Sequence, residues 1–365
     1  MTEIPETMHA VVLMRHGGLD ALEVHDDWPV PVPMGQEILI KVGACGLNNT
    51  DVNTRSGWYS KAVRDATTGD AYTEVDDADP TWGGSGISLP RIQGADAVGR
   101  IVVCGPDADT ALIGKRVMVE GWQRDWSDPT NLNKAGYFGS EFDGGFAQYT
   151  KTDQRNVAVI ESDLTDAELA TFSCSYTTAE GMLTRANVGG DDVVLVTGAS
   201  GGVGSAIIQL AKRRGAKVVG LASEAKHEML SPLGADALLG RAPEDLPAAL
   251  QAAIGRPDVT VVADIVGGDY YPKLIEAIAR GGHYTCSGAI GGPIVELDLR
   301  TFYLNDLTFH GSTITPPQVF KNMASYVAKG EIKPLVAATY PLAEFHAAQT
   351  AFIEKNHVGN IVVVP

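Results

Sequence analysis

The chain has 365 residues, 44% hydrophobic and 20% charged, with a formal net charge of −17. That length allows two domains with cores of their own. The acidity argues against nucleic acid or an anionic membrane as a partner, and no apolar run is long enough to span a bilayer. The N-terminal run MTEIPETMHA has neither a basic region nor an apolar core, and Cys45, Cys104, Cys174 and Cys286 lie far apart in sequence. The expected setting is therefore a reducing cytoplasm, without a disulfide framework or a cysteine-rich metal knot.

The first part of the chain reads as β-rich and punctuated. Ala10 to Met14 predicts a strand, Pro29, Pro31 and Pro33 bracket an extended segment, and Glu37 to Val42 alternates as a strand should. Arg100 to Val103 and Lys115 to Val119 predict two more strands. Two stretches fit neither period. Arg64 to Leu89 is acidic and glycine-bearing, and Glu120 to Asp143 carries Trp122, Trp126, Tyr137 and Phe138. Both read as long loops, either lids or solvated insertions. From about Leu164 the pattern changes. Thr165 stands as an N-cap before a helix over Asp166 to Asn187. Strands at 193–197, 217–221, 236–239, 259–265, 282–286 and 307–311 then alternate with helices at 203–214, 225–232, 244–254 and 270–279. Such alternation predicts a parallel sheet covered by helices. The tail holds helices from Gln318 to Lys329 and around Leu342 to Glu354. A last strand, Gly359 to Val364, is expected to return to the first domain.

The most informative segment is DDVVLVTGASGGVGSAIIQLAK, from Asp191 to Lys212. A short apolar run meets a glycine-dense turn, and a helical stretch follows, which is the dinucleotide-binding context. Gly201 and Gly202 let the backbone approach a pyrophosphate, and Gly204 lets the helix pack close to the strand. The first free N–H groups of the helix then face the phosphates. A short-chain dehydrogenase would space these glycines similarly, but it would need a Tyr-x-x-x-Lys pair downstream. No tyrosine after Gly204 has a lysine four residues on.

The pattern Asp191-Asp192-x-x-Leu195-x-x-x-Ala199-Ser200-Gly201-Gly202-x-Gly204-x-x-x-x-Gln209-x-x-Lys212 resembles the signature of the quinone oxidoreductase (ζ-crystallin) branch of the medium-chain dehydrogenases/reductases. Pro31-x-Pro33 with Glu37 to Val42, Gly46-Leu47-Asn48-x-x-Asp51, Asp143-Gly144-Gly145-Phe146-Ala147-x-Tyr149, Thr178-Ala179, Asp264-x-Val266-Gly267-Gly268 and His357-Val358-Gly359-x-Ile361-Val362 extend the likeness over nearly the whole chain. The resemblance implies an α/β fold in two parts. A GroES-like β-rich catalytic domain would span residues 1–160. A Rossmann doubly wound parallel-sheet domain would span 161–315, and 316–365 would return to the catalytic domain.

Zinc-dependent members of that superfamily place a cysteine where this chain has Asn48 and a histidine where it has Ala95, and usually add a four-cysteine lobe. Asn48, Ala95 and Asp96 do not make the N and S ligand set that zinc takes, so the expectation is no metal. Without a Lewis acid, hydride addition to a quinone or an α,β-unsaturated carbonyl or enoyl substrate is favoured over carbonyl reduction. The resemblance makes Tyr59 the expected donor and sets Asn48 against the nicotinamide ribose or the substrate. It places Thr178, Ser200, Gly201, Gly202, Val203, Val266, Gly288, Gly311 and Asn360 along the cofactor. The strand ending Val218-Val219-Gly220-Leu221-Ala222-Ser223 lacks the acid that NAD enzymes carry there. Ser223, Lys226 and Arg241 would surround a 2′-phosphate, which favours NADPH over NADH, although Glu224 stands one residue from the acidic slot. The rivals are an alcohol dehydrogenase or carbonyl reductase and a non-catalytic NADPH-binding protein. A homodimer is expected through the apolar edge strand near Asp306 to Gly311.

Overall fold

The computed structural model describes residues 4–67 and 86–365. Most of the acidic stretch from Arg64 to Leu89, with Asp70, Tyr72 and Trp82, lies outside the described residues. Two large sheets dominate, and residue chemistry explains why they differ.

The cofactor-domain sheet has six parallel strands, in the spatial order Ala237–Leu239, Lys217–Leu221, Val193–Val196, Val259–Asp264, Ile278–Cys286, Thr308–Gly311. Its central strand, Val193–Val196, is buried along its whole length, because helices cover both faces. The helix Gly202–Arg213 follows directly, with Ile207, Ile208, Leu210 and Ala211 all buried. Gly204 is needed for this packing: a Cβ there would press into the backbone at Gly198 and Ala199. The fold is α/β, with a Rossmann-like parallel sheet joined to a GroES-like β-rich part.

The β-rich part holds a sheet in the order Val157–Val159, Arg116–Val119, Asp96–Cys104, Glu37–Gly46, Asn360–Val364, Val336–Pro341. Glu37 to Val42, expected to alternate, lies in the strand Glu37–Gly46: Lys41 is exposed between buried Ile40 and Val42, while Ile38, Leu39 and Ile40 are all buried, because the strand is central in its sheet. The final strand pairs antiparallel with it, Val362 opposite Gly46 and Val363 opposite Cys45. A single apolar cluster runs from Ala44, Val98 and Met118 to Val194, Val196 and Ile207, so the two parts share a core.

Other expectations need correction. Thr165 does cap a helix, in a capping box with Glu168. That helix stops at Leu169, and a second runs Ser173–Arg185. At the break the Ala170 carbonyl closes onto Gly46, where a Cβ would collide with it. The helix expected at 270–279 is only Tyr271–Glu276, because Ile278 already belongs to the next strand. The Glu120 to Asp143 stretch is not a free loop. Trp122–Gln123 pairs antiparallel with Gly136–Tyr137, and Trp122, Tyr137 and Phe138 are buried. The Trp122 indole donates to Thr313 O at 3.0 Å. The Arg124 guanidinium donates to Glu120 at 2.7 Å and also to Thr315 O. Burial outweighs the arginine and pushes the Glu120 carboxyl up to about 7.

Candidate active site

Asn48 stands where the strand Glu37–Gly46 gives way to the short helix Asn49–Arg55, and it caps that helix. Its backbone N–H donates to Asp51 Oδ2 at 2.7 Å and its Nδ2 to Asp96 Oδ2 at 2.8 Å. The other oxygen of Asp96 accepts from the backbone N–H of Cys174. Asp96 thereby joins Asn48 to the start of the helix Ser173–Arg185. Both carboxyls are buried. Desolvation raises Asp51 to about 8 and Asp96 to about 7, against the hydrogen bonds that favour their charged forms. The amide oxygen of Asn48 accepts from Ser175 Oγ at 3.5 Å, and Ser175 Oγ in turn accepts from Asn360 Nδ2 at 3.3 Å.

Two phenols stand near Cys174. The Tyr59 hydroxyl accepts from Asn53 Nδ2 at 3.4 Å and is hydrogen-bonded by Thr50. Its ring is partly exposed and sits edge-on to Trp58. The Tyr137 hydroxyl donates to Cys174 Sγ at 3.1 Å. Burial raises the pKa of both phenols and of the Cys174 thiol, so all three are protonated and neutral. Neither Cys174 nor Tyr137 was singled out as a site residue from the sequence. Their proximity depends on a contact 37 residues long in sequence, and no local spacing encodes it.

The glycine turn faces the same region. Gly201 caps the helix Gly202–Arg213 with no side chain at the cap. A Cβ on Gly202 would strike Ser175 Oγ and the Asn360 amide. Asn360 is buried, its Nδ2 donates to Ser175 Oγ, and its Oδ1 has no partner among the described residues. Open helix N–H groups at the glycine cradle fit a dinucleotide's pyrophosphate, while the Asn360 oxygen, an acceptor, suits a hydroxyl and not a phosphate oxygen. Ser200 O accepts from Gly359 N at 3.1 Å, which ties the turn to the last strand. Ser200, Val203 and Thr178 lie partly exposed on this side, and Thr178 hydrogen-bonds Cys174. Val266 and Gly288 stand just beyond the C-terminal ends of their strands, and Gly311 ends the edge strand.

Lys226 is placed otherwise than the sequence suggested. Its Nζ donates to Lys355 O at 2.7 Å and to His357 O at 2.8 Å, and the residue is buried. The amine is held on backbone carbonyls instead of standing free for a 2′-phosphate. Arg241 is exposed and close enough to depress the Lys226 pKa, after desolvation. Ser223 and the exposed Glu224 open the short turn after Lys217–Leu221.

Residues 34–162 match the alcohol dehydrogenase GroES-like domain, and residues 202–329 match the zinc-binding dehydrogenase family. A solved structure from Sinorhizobium meliloti 1021, provisionally named an alcohol dehydrogenase, is 45% identical with a TM-score of 0.90, covering 100% of this chain and 98% of that one. The chain belongs to the medium-chain dehydrogenase/reductase superfamily. A quinone oxidoreductase of Pongo abelii is 26% identical over 93% of each chain. An NADPH-dependent alkenal/one oxidoreductase of Arabidopsis thaliana is 26% identical over 99% of this chain and 81% of its own. An NAD-dependent alcohol dehydrogenase of Sulfurisphaera tokodaii is 25% identical over 93% of this chain and 96% of its own.

The zinc in the matching family's name can be tested against these residues. No group of three or more His, Cys, Asp or Glu that could hold a metal occurs among the described residues. Around Asn48 and Ala95 the candidate donors are Asp51, Asp96 and Cys174. Both oxygens of Asp96 are engaged, Asp51 caps a helix, and the Cys174 sulfur accepts from Tyr137. Zinc takes thiolate and imidazole ligands in tetrahedral sets, and this donor set does not fit it.

Proposed function

We propose that this medium-chain reductase uses NADPH in preference to NADH, works without zinc, and reduces a quinone or an α,β-unsaturated carbonyl or enoyl compound. Its catalytic domain would span residues 1–160 and 316–365, and its cofactor domain 161–315. One observation carries the reading. An amide, Asn48, and an apolar residue, Ala95, occupy the slots where the resemblance would put metal ligands, and Asp96 ties Asn48 to the Cys174 backbone.

A bound nicotinamide would supply the hydride; the chain supplies the rest. The helix N-terminus at Gly201 and Gly202 would hold the pyrophosphate, and the Asn360 oxygen would accept from a cofactor hydroxyl. Ser223 and Arg241 would meet a 2′-phosphate. Asn48 spends its Nδ2 on Asp96, and its oxygen, which accepts a long 3.5 Å bond from Ser175 Oγ, would also accept from a ribose or substrate hydroxyl. Tyr59, kept protonated by burial, would donate to the acceptor's carbonyl oxygen, where negative charge develops. The quinone and alkenal/one reductase names among the relatives support the acceptor class. The alcohol dehydrogenase name supports the rival.

The test is cofactor oxidation against 1,4-benzoquinone, menadione, 4-phenyl-3-buten-2-one, crotonyl-CoA and simple alcohols and ketones, with metal content measured on the same protein. Turnover of a quinone, enone or enoyl thioester by protein without stoichiometric zinc is expected. Alcohol oxidation by zinc-loaded protein would overturn the reading, as would cofactor binding with no turnover of any acceptor.

A further inference from the structure

The 120–143 stretch does more than brace the two domains. We propose that Tyr137 is a second hydrogen-bond donor to the substrate's carbonyl oxygen, and that with Trp122 it selects the acceptors the site takes. This rests on the reading of the chain as a carbonyl-activating reductase.

The placement of the phenol carries the argument. The Tyr137 hydroxyl donates to Cys174 Sγ at 3.1 Å. A thiol sulfur is a weak acceptor, so a ligand oxygen can take that donor over at small cost. Cys174 is partly exposed, and its backbone N–H is held by the same Asp96 that holds Asn48. Tyr59 senses the same thiol electrostatically. Two phenols from different segments thus reach the neighbourhood of one sulfur, beside Ala95, where the superfamily's zinc enzymes carry a histidine. A substrate oxygen there would be met by two neutral donors in place of a Lewis acid.

The ring is also fixed in advance. Trp122 stands edge-on to it with centroids 5.0 Å apart, and the indole N–H is anchored on Thr313 O. Gly121 lies so close beneath that a Cβ there would come within 2.9 Å of the Tyr137 ring. The Tyr137 backbone N–H is bonded to Glu141 at 2.8 Å. A donor oriented before the substrate arrives pays no reorganisation when charge develops. Ala95, Trp122, Ala135 and Tyr137 pack as one apolar cluster, with Cys174 and Ile314 against it. The hydroxyl and the thiol are the polar points of that wall, which suits a flat apolar molecule with one carbonyl end.

Two measurements test this. The first compares Tyr137→Phe with the parent in steady-state reduction of menadione and 4-phenyl-3-buten-2-one. A fall in kcat/KM of about ten- to a hundredfold is expected, with NADPH affinity unchanged and the melting temperature kept. Unchanged kcat/KM on every acceptor would overturn the proposal. The second reads binding instead of rate. Titrated by calorimetry onto the NADP⁺ complex, the saturated ketone 4-phenyl-2-butanone should bind the parent, and Tyr137→Phe should weaken that binding several-fold. A ketone that does not bind the parent, or that binds both proteins equally, would also overturn the proposal. If the parent reduces none of the acceptors, the proposed function fails, while ketone binding still decides the role of Tyr137.

Discussion

Single residues decide the chemistry. Tyr59 and the buried carboxyls beside Asn48 make the sharpest predictions. If Tyr59 donates to the developing enolate, Tyr59→Phe lowers kcat and leaves NADPH affinity alone, because an interaction made only in the transition state appears in the rate. One such donor is worth about 3 kcal/mol, roughly a hundredfold in rate; full activity on every acceptor would make the ring a wall residue. Asp51 titrates near 8 in the fold, against an ordinary 3.8. Between those values the folded protein holds a proton that the unfolded chain has lost, so this group costs stability as pH rises. Asp51→Asn removes that dependence while keeping an acceptor for Asn48 N–H. Relative to the parent, the variant gains stability from pH 5 to pH 8, by up to about 1.4 kcal/mol per unit; chemical denaturation at several pH values reads this, and parallel curves would refute it. Lys226 makes a different prediction once its carbonyl partners are known. Lys226→Ala loosens the turn carrying Asn360, so NADPH and NADH weaken by similar factors in equilibrium titrations. A loss confined to NADPH would show the amine leaving its carbonyls for a phosphate.

At the scale of elements, the turn from strand to helix at Val193–Val196 and Gly202–Arg213 is a tight joint. Gly204→Ala drives a methyl group into Gly198 and Ala199. Overpacking of this kind costs about 1–3 kcal/mol, and here it also tilts the helix that faces the pyrophosphate. A lower melting temperature together with weaker cofactor binding is expected; an unchanged melting curve would mean the helix shifts freely. The ribbon of Trp122–Gln123 and Gly136–Tyr137 is an element whose pairing was hidden from the sequence. Its strands are two residues each, too short for any period to register. What holds it is tertiary: a tryptophan on Thr313 O and a buried Glu120–Arg124 pair reaching Thr315 O.

At the scale of the molecule, the parallel sheet ends in the strand Thr308–Gly311, paired on one side only among the described residues. Beside it in sequence Ile294, Val295, Leu299, Tyr303 and Leu304 are exposed. An open edge flanked by apolar side chains is an aggregation liability unless it is paired, and a two-fold axis is the commonest remedy. A homodimer mass by light scattering at micromolar concentration is expected, and Tyr303→Asp with Leu304→Asp should yield monomers that still bind cofactor. A monomeric parent would refute this.

The sequence by itself determined what local pattern encodes. The βα alternation, the glycine turn and the Thr165 cap are all readable within short windows, because strand and helix periods and backbone freedom are local properties. The tertiary structure alone decided which distant residues meet. Lys226 was legible as a cation but not as a cap for Lys355 O and His357 O, some 129 and 131 residues away. Cys174 looked like one of four scattered thiols until folding set it against Tyr137 and Asp96. Glu37 to Val42 showed alternation, yet the burial of three successive residues, Ile38 to Ile40, followed from the strand's central place in its sheet. Burial and partnership depend on the whole chain's packing, and no single stretch of sequence carries them.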